Sequence, residues 1–369
     1  MEWETLEDLT GHVANAIGAQ PYRWFDYVVP EDLQHSTISR LRKDYPAKLA
    51  YLDTAPGGGS DQVILCLGGI VNSARRFDFL AADMRATHRV IAVDWPGRGR
   101  SGWLAQQTHY TNGILAHAVE SLIEGLGLTH ISLLGSSLGG KIGMDIAAHR
   151  PALVGRLILN DIGPEIPARR RVRRAETIGS YHVCARPVDL FRCGEAAQRH
   201  TGPIGDAVCL HNIMGQTKPC QAGGGREYRH DPRASQAYAE QERRNLPQWD
   251  VFKALECQTL LLHGDESDAL LPETVRRMQD IAGLRMTVVH VPETGHSPAL
   301  ADADSSSVIG AWLSGHALPR ESTLPCRAAP VRLLFTDGPP TPQVATEPRQ
   351  KVTALSVPAP QPATVFLQF

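Results

Sequence analysis

The chain has 369 residues, a formal charge of −2 and a hydrophobic share of 42%. That is enough apolar material for a large core, and the near-neutral balance is wrong for a protein that coats nucleic acid. No apolar run approaches the roughly 18–20 residues of a membrane span. The acidic start (Glu2, Glu4, Glu7, Asp8) has the wrong sign for a secretory or transit signal. Seven cysteines without a C-x-x-C pair suit reduced thiols, so a cytoplasmic location is expected.

In chain order, Leu6, Leu9, Val13 and Ile17 fall at helical spacing, which predicts a short amphipathic helix over 1–20. Two edge strands are predicted at Trp24–Val29 and Lys48–Leu52. Six short apolar runs follow, at 63–67, 89–93, 131–134, 157–159, 259–262 and 286–289. Such runs mark strands buried on both faces. Helical patterns lie between several of them, including Ile114–Leu122 and Leu138–Ile146, the latter stopped at His149-Arg150-Pro151. Alternation of this kind predicts an α/β fold with a mostly parallel sheet covered by helices. The rhythm breaks between 162 and about 256, a stretch too long for a loop and read as an inserted helical cap. Residues 317–369 hold 10 of the 26 prolines, so a disordered proline-rich tail is expected.

The sharpest local signal is Gly135-Ser136-Ser137-Leu138-Gly139-Gly140. It follows an apolar run and opens a helical one, the strand–turn–helix that a nucleophile elbow requires. Small neighbours let strand and helix pass closely while Ser137 takes strained backbone geometry. On these residues the chain resembles the α/β-hydrolase family from about 48 to 314. The family order of serine, acid and histidine then implies Ser137 as nucleophile. It implies His296, in Glu293-Thr294-Gly295-His296-Ser297-Pro298, as base. Asp268, four residues before Pro272, stands where the family pattern puts the acid. Asp265 and Glu266 lie close by, and Asp161 occupies a position that some members use instead.

The resemblance also implies an oxyanion hole after the strand 63–67, where Gly68-Gly69-Ile70 replaces the usual His-Gly-x. The backbone N–H groups of Ile70 and Leu138 would be its donors. Asp94-Trp95-Pro96-Gly97-Arg98-Gly99-Arg100-Ser101-Gly102 resembles the loop after the family's fourth strand, with Arg98 and Arg100 read as loop braces. The run Arg169–Arg174 is read as the solvated face of a cap helix. No His or Cys spacing suggests a metal site.

A serine at the elbow excludes the branches that use aspartate there. The expected reaction is hydrolysis of a carboxylic ester through an acyl-enzyme, on a small-molecule substrate, with no metal or organic cofactor. A C–C hydrolase of ring-cleavage dienoates shares the same residues and is the alternative, and a non-catalytic ligand receptor on the same fold is a third reading. The expected division is an N-terminal extension (1–47), a catalytic core (48–163 and 257–315), a cap (164–256) and the tail (316–369).

Overall fold

The computed structural model describes residues 3–30, 44–58, 60–178, 183–190, 201–220, 224–244 and 246–326. The described residues form twelve strands. They are β1 (Arg23–Val29), β2 (Tyr45–Asp53), β3 (Val63–Leu67), β4 (Arg89–Val93), β5 (Ile131–Ser136), β6 (Val154–Asn160), β7 (Val183–Cys184), β8 (Thr217–Pro219), β9 (Arg226–Tyr228), β10 (Gln258–Gly264), β11 (Met286–Val291) and β12 (Glu321–Thr323). Nine form one sheet in the order β1-β2-β4-β3-β5-β6-β10-β11-β12. The first two pairings are antiparallel and the remainder parallel.

The continuous apolar runs become central strands because both sheet faces are covered. Along β3, Val63, Leu65 and Leu67 join one buried cluster, and Ile64 and Cys66 join another on the opposite face. Strand side chains alternate between faces, so a strand buried on both needs every position apolar. The first cluster takes residues from helices α3 (Asn112–Gly125) and α4 (Leu138–His149). The second takes residues from α2 (Asp78–Met84) and the C-terminal helix Ala303–Leu313. Thr111 caps α3 by accepting the Ile114 N–H.

Four boundaries differ from the sequence expectation. First, β1 and β2 belong to the main sheet, and β2 is internal between β1 and β4, so residues 23–29 and 45–47 are part of the core sheet rather than of an extension. Second, the N-terminal helix α1 (Trp3–Ala16) buries Leu6 completely against Cys184, Leu190, Leu210, Ile213 and Met214. Third, the segment 164–256 is not purely helical. It holds α5 (Ala168–Thr177), α6 (Asp206–Gln216), α7 (Pro232–Arg244) and α8 (Trp249–Lys253), and also the small antiparallel sheet β7-β9-β8. Fourth, the region after Gly315 is part of the fold as far as it is described. Glu321–Thr323 pair in parallel with β11, and Leu324 is buried in the second cluster. Two further helices, α9 (Pro272–Ala282) and α10 (Ala303–Leu313), complete the chain order. The rest of the proline-rich stretch, from 327 on, lies outside the described residues. No helix among the described residues is long and apolar enough to cross a membrane.

Candidate active site

Ser137 stands between β5 and α4 with φ 52° and ψ −117°, a conformation that side-chain-bearing residues avoid. The turn is held by close packing around it. A Cβ on Gly139 would lie 2.0 Å from the Leu67 carbonyl oxygen, and one on Gly135 would lie 2.5 Å from the Gly139 carbonyl oxygen. Strand and helix can approach this closely only where both carry glycine. The strain places the hydroxyl at the N-terminus of α4, where the helix dipole favours negative charge.

His296 lies on the loop after β11 and is fully buried. Its Nδ1 donates to Asp161 Oδ2 at 3.0 Å. Its Nε2 is buried without a hydrogen-bond partner among the described residues. The acid facing His296 is therefore Asp161, not Asp268. Asp161 directly follows β6, the strand beside the one that carries Ser137, and it too has positive φ (51°). It also accepts from the Gly264 N–H at 3.0 Å and the Ser267 hydroxyl at 2.6 Å, and more weakly from the Ser297 N–H at 3.4 Å.

Asp268 turns the other way. Its carboxylate accepts from Arg170 Nη1 at 2.6 Å and from Arg173, and its side chain is 47% exposed. Burial would raise its pKa, but the two guanidiniums outweigh that and hold it below the usual carboxylate value. The remaining candidates are elsewhere. Asp265 is paired with His290, and Glu266 donates its backbone N–H to Thr294.

Burial pushes Asp161 up to about 7 against the donors that oppose the shift. His296 goes the other way, well below its ordinary value, because burial and the cations Arg170, Arg174 and Arg76 all disfavour an imidazolium. In this closed pocket His296 is neutral, with a lone pair on Nε2.

The loop Gly68-Gly69-Ile70 abuts the elbow, since a Cβ on Gly69 would lie 3.4 Å from that of Ser137. Trp95 Nε1 donates to the Gly68 carbonyl at 2.8 Å, and Arg98 Nε donates to the Ile70 carbonyl. These bonds fix the peptides on either side of Gly69–Ile70. They account for Arg98, buried at 2% exposure, as a loop brace. Arg100 contributes its backbone N–H to buried Asp94 at 2.8 Å, and its guanidinium lies over the Tyr22 ring.

The arginine run on α5 is only partly a solvated face: Arg169 is exposed, but the inward side of the run is buried. Arg170 and Arg174, one helical turn apart, are each 2% exposed. Arg174 Nη2 donates to Ser137 Oγ at 3.1 Å, and its guanidinium lies over the Tyr238 ring. Three positioning residues carried no sequence signal. Arg76 donates to the Ser297 and Pro298 carbonyls at 2.7 and 2.9 Å, bracing the His296 loop. Asn160 Nδ2 joins Ser136 Oγ (2.8 Å) to the Pro298 carbonyl (2.9 Å), and Ser267 fixes Asp161. A small cavity beside the elbow is lined by Ile70, Trp95, Leu115, Leu138, Ala234 and Tyr238. Among the described residues, His263, Asp265 and His290 each bring one ligand atom to within 4.8 Å of the others.

With this geometry in view, a family model described as "Alpha/beta hydrolase family" matches residues 55–305. A curated relative, the 3-hydroxybutyrate-oligomer hydrolase of Cupriavidus necator, is 29% identical over 272 residues, covering 69% of this chain and 89% of its own. An alpha/beta hydrolase from Novosphingobium aromaticivorans superposes with TM-score 0.65 at 25% identity, covering 79% of this chain and 98% of its own. E-2-(acetamidomethylene)succinate hydrolase superposes with TM-score 0.63 at 19% identity, covering 79% of this chain and all of its own, a likeness of fold.

Proposed function

The chain belongs to the α/β-hydrolase family, and from that premise we propose that it hydrolyses a carboxylic ester whose substrate also carries a carboxylate. The observation that carries the reading is the arrangement at Ser137. A strained serine shares its arginine neighbour, Arg174, with a buried neutral histidine whose other nitrogen is tied to Asp161.

The chemistry follows from those positions. His296 Nε2 takes the Ser137 proton as Oγ attacks the ester carbonyl. The tetrahedral oxyanion is met by the N–H groups of Ile70 and Leu138, each typically worth about 2.7–4 kcal/mol in such a site. The imidazolium, stabilised by Asp161, gives the proton to the leaving alcohol. Water deprotonated by His296 then releases the acid and restores Ser137.

Arg174 supplies the specificity: its Nη2 donates to Ser137 Oγ, so its guanidinium stands beside the reacting carbonyl, whereas Arg170 is held by Asp268. A guanidinium fork suits a carboxylate on the substrate. The relative from Cupriavidus necator acts on 3-hydroxybutyrate oligomers, which are esters ending in a carboxylate.

The test is labelling by a fluorophosphonate, together with turnover of a short 3-hydroxyacyl ester bearing a free carboxylate and of its methyl ester. Labelling lost in Ser137→Ala, with the free acid preferred, is the expected result. Absence of both labelling and ester turnover in the wild-type protein sinks the reading. Turnover of a ring-cleavage dienoate without ester turnover would favour the C–C hydrolase.

A further inference from the structure

Two imidazoles face each other at the ends of β10 and β11. His263 and His290 are register partners on these parallel strands, so their side chains leave the sheet on the same face. Asp265 stands two residues beyond His263. His263 Nδ1 lies 3.4 Å from His290 Nδ1, and His290 Nδ1 lies 3.3 Å from Asp265 Oδ1. All three ligand atoms lie within 4.8 Å of one another.

The far side of each ring settles which nitrogen holds the proton. His263 Nε2 is 2.9 Å from the Leu270 carbonyl, and His290 Nε2 is 3.0 Å from Glu321 Oε1. Carbonyls and carboxylates only accept, so each neutral ring carries its proton on Nε2. Gln279 Nε2 holds the other Glu321 oxygen at 3.2 Å. Two Nδ1 lone pairs and a carboxylate oxygen therefore converge on one point. Such an array is repulsive unless a positive charge sits within it, either a proton on His290 Nδ1, which Asp265 would accept, or a metal ion that takes all three atoms.

The two separations from His290 Nδ1, 3.4 Å to His263 and 3.3 Å to Asp265, are those of ligands on one ion. Donors at about 2.0–2.1 Å from a tetrahedral ion stand about 3.3–3.4 Å apart. Ligating histidines also donate their second N–H to a carbonyl or a carboxylate, and both arrangements are present here. We propose that His263, His290 and Asp265 form a binding site for a divalent transition-metal ion of the zinc type. Imidazole and carboxylate together suit zinc or cobalt, and exclude the all-oxygen preference of magnesium. The His290 and Asp265 side chains are 24% and 44% exposed, so the ion enters from solvent. Its place in the fold matters. Gly264 and Ser267, on either side of Asp265, both donate to Asp161. A bound ion ties this loop to β11 and stiffens the support of the acid. No sequence motif announces the site, because its histidines are 27 residues apart and meet only through strand pairing.

The experiment is titration of the full chain with zinc by calorimetry, and with cobalt by visible absorption. The expected result is saturable binding with one more site in wild type than in His290→Ala, and at least tenfold weaker occupancy of that site in Asp265→Asn. Cobalt on this site gives the intense visible bands of four-coordinate N/O ligation, without a sulfur charge-transfer band. Metal-free His290→Ala retains wild-type fluorophosphonate labelling, which separates loss of the site from loss of the fold and from failure of the esterase reading. Wild type and His290→Ala taking up equal zinc with equal affinity, or no saturable binding in wild type, would overturn the proposal.

Discussion

Asp161 lies in a fully buried pocket and takes up the ring N–H of His296 together with donors from the 264–267 loop, whereas Asp268 faces half-open solvent and two arginines. The two carboxylates should therefore respond differently to the same isosteric change. Asp161→Asn removes the charge that stabilises the imidazolium and favours the wrong tautomer. It should lower kcat on a neutral ester by about 10⁴-fold. Asp268→Asn should keep kcat within about threefold. Steady-state rates of the two variants check both, and an active Asp161→Asn would overturn the assignment. The pH profile depends on Asp161 and His296 together. His296 is a base only when neutral, and its pKa is held well below the usual value by burial and by Arg170, Arg174 and Arg76. Activity should thus begin to fall as pH drops through about 7, where Asp161 takes a proton and loses the charge that stabilises the imidazolium, while His296 itself stays neutral well below its ordinary value. Arg174→Gln removes one nearby cation, makes the imidazolium easier to form, and should move the acid limb of kcat/KM to higher pH. The same variant should raise KM for the carboxylate-bearing ester more than for its methyl ester.

At the scale of elements, the strand–turn–helix at Ser137 was legible because its requirement is local. Gly135 and Gly139 are needed wherever β5 passes α4 at this distance, and that need is written in adjacent positions. Gly139→Ala would place a methyl group 2.0 Å from a backbone oxygen of β3, which cannot rotate away. The expected cost is about 3 kcal/mol or more, at the upper end for overpacking, read as a lower urea midpoint. Helix α5 shows the opposite case. Six residues with five arginines read as a charged surface, yet the turn 170/174 faces inward onto Asp268 and Ser137. The periodicity was present, but direction depends on what the helix packs against, and that partner is distant in the chain.

For the whole molecule, the sheet runs from β1 to β12, so both ends of the described chain contribute to it. Removing everything after Gly315 deletes β12 and Leu324, exposes the β11 edge, and takes away the Glu321 partner of His290. That truncation should lower the thermal midpoint by several degrees, on the scale of about 4 °C per kcal/mol or less for a domain of this size. Truncation after Cys326 should leave the midpoint and ester turnover at full-chain values. An unchanged midpoint in the shorter form would mean that β12 adds nothing to the sheet.

Features that depend on neighbours in the chain could be read from the residues alone. The central strands followed from unbroken apolar runs, since a strand covered on both faces has no position for a polar side chain. The elbow followed from glycine spacing, and the order of serine and histidine from the family resemblance those residues carry. The choice between Asp161 and Asp268 came from the packing of the folded chain. Both lie in loops after adjacent strands, β6 and β10, and which carboxylate reaches His296 depends on side-chain direction across the sheet. That packing alone also buried Arg170 and Arg174, drew β12 into the sheet, and set His263 against His290. Each is a contact between residues far apart in the chain, and such contacts are fixed by register and packing rather than by local pattern.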